Sequence, residues 1–483
     1  MSKPRFLLPL FALAAACGLI AGESLAQPSS TPVGMPALAE PVRHVPTDAA
    51  SMRISFAPVV KATAPAVVNV YAKKVVRQSI DPFFSQFAMP GLTQERVLQS
   101  LGSGVVVRSD GVIVTNNHVI EGGQDIMVVL SDRREFPAKV LLADARVDLA
   151  VLKIDAGNEK LPVLPIDDRG DLQVGDLVLA VGNPFGVGQT VTNGIISALN
   201  RSAADPGGEG GSSYIQTDAP INPGNSGGAL VDMDGNLIGI NSFIVSRSGG
   251  SVGVGFAIPA ALVKRVVASA VGGEHTLVRP WLGTKTDAVT ADIGRSLGMA
   301  APTGALVTDL YPGSPGAKAG IKIGDVIVGV DGGQVSDPGN LNYQISTKTP
   351  GEATRIELLR DGKRLSVSAR VEPPPATPAK DEQTLTGRNP LTGLTVVNLS
   401  PAVADELGAD PFVKNGGVLV SNVSRGYAAS LGFQPGDIVR AVNGKDVATV
   451  EQLRKLLDAG APNGQWVLVI QRGGQTITAR VRA

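Results

Sequence analysis

From residue 66 to residue 259 the apolar positions fall in short β-branched runs, each closed by turn residues. One set occupies 67–71, 104–107, 112–115, 126–130, 139–142 and 149–154. A second occupies 177–181, 191–198, 214–217, 237–243 and 255–258. Pairs such as Asp110-Gly111 and Asp234-Gly235 separate them, as tight hairpins require. Many short strands at close spacing predict a barrel or a sandwich. One helical pattern, 260–270, closes the region. Segment 78–99 breaks the strand rhythm and carries Phe83, Phe84, Phe87 and Met89. It reads equally as a packed surface loop and as a mobile loop that masks a site or meets a neighbouring subunit.

The last two hundred residues contain a duplication. Ala319-Gly320-Ile321-Lys322-Ile323-Gly324-Asp325-Val326-Ile327 recurs as Leu431-Gly432-Phe433-Gln434-Pro435-Gly436-Asp437-Ile438-Val439. Asp331-Gly332 and Asn443-Gly444 keep the same offset of 112 positions. That period is too long for a solenoid and predicts two separate small domains. Between them Glu372-Pro373-Pro374-Pro375-Ala376-Thr377-Pro378 reads as a stiff linker.

At the other end, Lys3 and Arg5 precede an apolar run that ends near Ala21, and Glu23-Ser24-Leu25-Ala26 places small residues where a signal peptidase cuts. The expectation is an exported chain with a cleavable signal over 1–26 and a Pro/Ser/Thr-rich flexible leader over 27–50. An uncleaved signal, or a lipid on Cys17, would instead tie the chain to the membrane.

Composition narrows the chemistry. With 58 glycines and 34 prolines the chain favours strands and turns over long helices. Forty-three basic residues balance 43 acidic ones, so the electrostatic footprint of a nucleic-acid binder is missing. Cys17 is the single cysteine, which excludes a disulfide framework within one chain. The three histidines, His44, His118 and His275, show no zinc-ligand spacing. No metal or other cofactor is expected.

Three segments carry candidate catalytic residues. Asn222-Pro223-Gly224-Asn225-Ser226-Gly227-Gly228 offers a serine in a glycine-rich turn, where backbone N–H groups can be aimed at a developing oxyanion. Thr115-Asn116-Asn117-His118-Val119 places a histidine just past a strand. His44 lies in the leader and His275 beyond the closing helix, so His118 is the candidate base for the strand-rich region. In Arg146-Val147-Asp148-Leu149-Ala150-Val151, Asp148 opens an apolar strand, where an inward acid needs a reason such as orienting a histidine. Asp144 and Asp155 flank the same strand and compete for that role. The order His118, Asp148, Ser226, with gaps of 30 and 78 residues, is that of chymotrypsin-like double barrels.

These segments, together with Gly182-Asn183-Pro184-Phe185-Gly186 and Gly255-Phe256-Ala257-Ile258-Pro259, resemble the HtrA proteases, in the DegP/Do-like branch with two PDZ domains. The resemblance covers nearly all of the chain after the leader. It implies a mainly β fold, a chymotrypsin-like double β-barrel over 51–272 followed by PDZ domains at 278–372 and 389–483, with 373–388 as linker. It implies His118 as base and acid, Asp148 as its orienter and Ser226 as nucleophile, with N–H groups around Gly224, Asn225 and Ser226 as the oxyanion hole. In the first PDZ domain Trp281-Leu282-Gly283-Thr284 resembles the loop that takes a peptide C-terminus; Thr392-Gly393-Leu394-Thr395 is the weaker match in the second, which serves either peptide binding or assembly. Loops 202–211 and 245–252 would switch the oxyanion hole. The implied activity is ATP-independent cleavage of misfolded or unfolded polypeptides in the periplasm, by a homotrimer or a multiple of trimers. Two other readings are an envelope chaperone with little proteolysis and a membrane-anchored stress-sensing protease.

Overall fold

A computed structural model describes residues 55–79, 93–168, 172–184, 188–202, 213–222, 224–244, 251–407, 412, 416–424, 426–461 and 464–482. The expected signal segment, the leader, Cys17 and most of the three loops named above lie outside these residues.

The first run of strands comprises β1 (Val67–Ser79), β2 (Thr93–Arg108), β3 (Val112–Thr115), β4 (Asp125–Val129), β5 (Glu135–Pro137), β6 (Lys139–Asp144) and β7 (Leu149–Lys153). They form one antiparallel sheet in the order β5-β4-β1-β2-β3-β7-β6. The second comprises β8 (Leu177–Gly182), β9 (Thr190–Ser202), β10 (Ser213–Thr217), β11 (Ala229–Val231), β12 (Leu237–Ile244) and β13 (Gly255–Pro259), closed into a barrel in the order β10-β13-β12-β11-β8-β9. The predicted helix spans Ala260–Val271. It buries Leu262, Val263 and Val266 in a core that also holds Ile113, Leu149 and Leu152 of the first sheet. A second apolar cluster, including Ile196, Ile215, Leu230 and Ile238, fills the closed barrel. Short β-branched runs buried almost throughout, as in β3, β7 and β8, are what strands enclosed on both faces require.

The duplicated region forms two further sheets. The first contains β14 (Thr284–Ala288), β15 (Ala305–Leu310), β16 (Val326–Val330), β17 (Gly333–Gln334), β18 (Ala353–Arg360) and β19 (Lys363–Arg370). The second contains β20 (Gln383–Thr384), β21 (Leu394–Asn398), β22 (Val418–Val423), β23 (Ile438–Val442), β24 (Lys445–Asp446), β25 (Gln465–Arg472) and β26 (Gln475–Arg482). Each sheet packs a helix, Pro338–Ser346 in the first copy and Val450–Asp458 in the second. Asp337 accepts from the amide of Asn340, and Thr449 from that of Gln452, so both helices begin on a side-chain cap. The duplicated aspartates have the same job in both copies. Buried Asp325 takes the Arg360 guanidinium at 2.7 Å and buried Asp437 takes Arg472 at 2.6 Å. The second nitrogen of each arginine reaches the carbonyl of Gly320 or Gly432.

Charged and apolar contacts join the copies to the strand-rich region. Arg279 pairs with Asp144 at 2.5 Å and with Asp405 at 3.3 Å, and Arg146 pairs with Asp405 at 2.5 Å. Tyr343, on the helix Pro338–Ser346, packs against the core beneath the first sheet and barrel.

Candidate active site

His118 sits on a single helical turn, Asn117–Ile120, that directly follows β3; Val119 and Ile120 bury themselves and leave the imidazole facing out. Asp148 precedes β7, the partner strand of β3, with Thr115 opposite Ala150. Its backbone is left-handed, φ 51°, a region disfavoured for a residue with a Cβ. The side chain of Asn116 holds that backbone by donating to the Asp148 carbonyl at 2.8 Å. One carboxylate oxygen accepts from the His118 amide at 3.1 Å, and the two lie 3.0 and 2.9 Å from Nδ1. An ionised carboxylate only accepts, so Nδ1 carries the proton and Nε2 of the neutral ring keeps its lone pair.

The competing residues are elsewhere. Asp144 is taken by Arg279. Asp155 accepts from the amide of Gly157 in a turn. His275 faces the carbonyl of Leu141.

Ser226 comes from the turn before β11. Gly224 has φ +99° and Gly227 φ +82°, and a Cβ on Gly227 would stand 2.1 Å from the Ser103 carbonyl oxygen. Only glycine fits there. The turn is fastened to the first sheet through Ser103, which is fully buried. The Ser103 amide donates to the Ser226 carbonyl at 2.8 Å, and its hydroxyl donates to the Gly224 carbonyl at 2.6 Å while accepting from the Asn183 amide at 2.8 Å. Of the three amides expected to form the oxyanion hole, that of Asn225 is engaged by the Asn222 carbonyl at 3.0 Å, closing the turn. Among the described residues, those of Gly224 and Ser226 donate to no backbone carbonyl.

Ser226, His118 and Asp148 line one cleft of about 610 Å³, whose apolar side is Tyr214, Ile221, Phe243 and Ile244. Tyr214 meets Phe243 edge-on at 5.1 Å, and Phe243 stacks on Phe256 at 5.0 Å. The Ser226 hydroxyl donates to the Ser242 carbonyl rather than to His118. The Ser242 hydroxyl in turn donates to Asp148 at 2.7 Å. Sequence reasoning missed Ser242, Ser103 and Asn116. A signal existed for the first: Asn241 and Ser242 are polar residues in the middle of an apolar strand, and buried polar groups there need partners.

Comparison with known proteins accords with this geometry. Residues 102–240 match the trypsin-like peptidase domain, and residues 283–371 and 419–472 match PDZ domains. The probable periplasmic serine endoprotease DegP-like of Marinomonas sp. (strain MWYL1) is 37% identical over 450 residues, covering 88% of this chain and 93% of that protein. The chain belongs to the HtrA family of serine endoproteases. The periplasmic pH-dependent serine endoprotease DegQ of Escherichia coli (strain K12) is likewise 37% identical, over 89% of this chain and 91% of that one. A solved structure of the HtrA-type protease AlgW with a decapeptide shares 42% identity at a TM-score of 0.50, over 67% of this chain and 99% of that chain. The mainly β HtrA architecture, a trypsin-like domain followed by two PDZ domains, is thus the one expected from the motifs.

The PDZ signature loops need one correction. In the first copy Thr284 pairs with Leu310; in the second Leu394 pairs with Val423, these two residues lying 110 and 113 positions further on. The counterpart of Trp281-Leu282-Gly283-Thr284 is therefore Leu391-Thr392-Gly393-Leu394, one residue earlier than the sequence match. Gly283 (φ +75°) and Gly393 (φ +93°) occupy equivalent left-handed positions.

Proposed function

We propose that His118, Asp148 and Ser226 are the catalytic triad of an ATP-independent HtrA endopeptidase that cleaves unfolded polypeptides in the periplasm. The observation that carries this reading is the Asp148 carboxylate holding His118 Nδ1 at 2.9 Å in the cleft that Ser226 also lines. In the reaction the Ser226 hydroxyl exchanges the Ser242 carbonyl for Nε2, which removes its proton as the oxygen attacks the scissile carbonyl. The Gly224 and Ser226 amides then stabilise the oxyanion, while the Asn225 amide keeps the turn closed. The imidazolium passes its proton to the leaving amine, and water repeats the sequence on the acyl-enzyme. The apolar wall of Tyr214, Ile221 and Phe243 suits a small-to-medium apolar side chain before the cut.

The same reading divides the chain into a signal peptide (1–26), a leader (27–50), the protease domain (51–272), a PDZ domain (278–372), a linker (373–388) and a second PDZ domain (389–483). The loop 281–284 would capture peptide C-termini, and the assembly would be a homotrimer or a multiple of trimers. The test is digestion of a denatured protein such as casein without ATP, with the cut sites mapped. The parent chain cleaves; Ser226→Ala and His118→Ala each lose on the order of 10⁴-fold or more in rate. Persistence of cleavage in Ser226→Ala overturns the assignment.

A further inference from the structure

The two PDZ sheets differ at one edge. PDZ domains take an extended peptide as an added antiparallel strand, with the last residue held by amides of the signature loop. In the first copy the receiving strand would be β14. It ends its sheet, and among the described residues no strand pairs with its outer edge. In the second copy the equivalent strand, β21, is already covered. Gln383 and Thr384 of β20 pair with it antiparallel, Gln383 opposite Val396 and Thr384 opposite Thr395.

The pairing follows the register of a bound ligand through to its last residue. The Leu385 amide donates to the Leu394 carbonyl at 2.8 Å, and the Gly393 amide of the signature loop donates to the Leu385 carbonyl at 2.9 Å. That carbonyl oxygen stands where a terminal carboxylate would accept. The Leu385 side chain is 4% exposed and belongs to the core cluster of Leu391, Leu394, Leu453 and Leu457. Two residues back, the Gln383 side chain accepts from Arg454 of the helix Val450–Asp458 at 2.9 Å, so strand and helix clasp it from both sides. Upstream, the Asn398 amide at the far end of β21 donates to the Lys380 carbonyl at 2.7 Å.

We propose that residues 383–385 are a built-in ligand that occupies the peptide site of the second PDZ domain, with Leu385 in the terminal-residue pocket. The segment read from sequence as part of the linker is then an internal peptide, and free C-termini are captured at the first domain. A short tether places the linker at an effective concentration on the order of millimolar, so a free peptide making the same contacts is held out until it reaches a comparable concentration. The proposal stands independently of the catalytic assignment.

The experiment uses the full chain carrying Ser226→Ala, so that peptide survives, and a labelled peptide Lys-Asp-Glu-Gln-Thr-Leu with a free carboxylate and a photo-crosslinker at its Glu. Crosslinks to helix Val450–Asp458 are expected in Leu385→Asp and not in the Leu385 chain at the same micromolar concentration. The apparent affinity at this site should rise about 100-fold, the tether's millimolar concentration set against a peptide of ~10 μM affinity. Equal crosslinking of both chains overturns the proposal. Because Leu385→Asp touches the core and can unfold the domain, hydrogen exchange at single-residue resolution is measured on the Leu385 chain alone. A Gly393 amide protected without added peptide is expected. A Gly393 amide that exchanges at the rate of an open loop, and slows only when peptide is added, overturns it.

Discussion

The Ser226 hydroxyl donates to the carbonyl oxygen of Ser242, 2.9 Å away, while the hydroxyl of the same Ser242 donates to Asp148 at 2.7 Å. One residue of β12 thus touches both ends of the proposed triad. Ser242→Ala removes the hydroxyl but keeps the carbonyl. A hydrogen bond to a charged group contributes about 1.5–3 kcal/mol, which corresponds to roughly a 10- to 100-fold fall in kcat. KM should be unchanged, because the lost contact does not meet the substrate. Steady-state kinetics on a chromogenic peptide check the split; an unaltered kcat would remove Ser242 from the site.

Ser103 holds the nucleophile turn from the opposite sheet. Ser103→Ala leaves the Gly224 carbonyl and the Asn183 amide buried without their partner, at about 1–3 kcal/mol for each unsatisfied group. A lowered unfolding midpoint and a lowered kcat are expected together. Gly227→Ala should be worse, since it meets both the positive φ and the Ser103 carbonyl. Soluble Gly227→Ala enzyme with parental activity would show that the turn is not held as described.

How much of this was legible beforehand follows from what each residue type can signal. Ser226, His118 and Asp148, which the fold brings to one cleft, stood out as candidates because a serine in a glycine-rich turn, a scarce histidine and an acid at the mouth of an apolar strand are each unusual. The strand runs were legible because strands buried on both faces are short, nearly continuous β-branched runs closed by turn residues. Ser103 was not, because a serine between two glycines looks like any turn, and its task depends on Asn183 and Gly224, which are distant in sequence. The occupied edge of β21 was hidden for a related reason. Gln383-Thr384-Leu385 follows a proline-rich linker, and only the register of β20 against β21 reveals its place.

The repeated Asp–Arg pairs give a prediction that applies twice. Asp325 and Asp437 are almost wholly buried, and each is bonded through two oxygens to one guanidinium. Deleting one partner of a buried pair strands the other charge and costs about 3–5 kcal/mol where both are enclosed. Arg360 and Arg472 are partly exposed, so Arg360→Ala and Arg472→Ala should fall below that range, near 1–3 kcal/mol. Arg472→Ala should be the more damaging member of its pair, because it leaves the buried Asp437 carboxylate without its cation and the Gly432 carbonyl without its donor, whereas Asp437→Ala leaves a guanidinium that reaches water. Denaturant unfolding of each variant checks the order.

Tyr343 gives the pH prediction. It lies on the helix Pro338–Ser346 of the first PDZ domain and packs against the protease core, where burial pushes its phenol from the ordinary 10.0 up to about 12. Burial favours the neutral phenol, so the folded, docked state binds this proton more tightly than the unfolded chain. The associated stability is complete below pH 10 and is lost as pH rises through 12. That rise corresponds to about 3 kcal/mol as an upper bound, since part of the ring remains accessible. Tyrosinate absorbance should show one phenol titrating near pH 12 that is absent in Tyr343→Phe. The phenylalanine variant should resist alkaline unfolding better than the parent between pH 10 and 12, because its ring keeps the apolar contact and has no proton to lose. Indistinguishable alkaline transitions in the two chains would mean that the helix is not seated against the protease domain through this side chain.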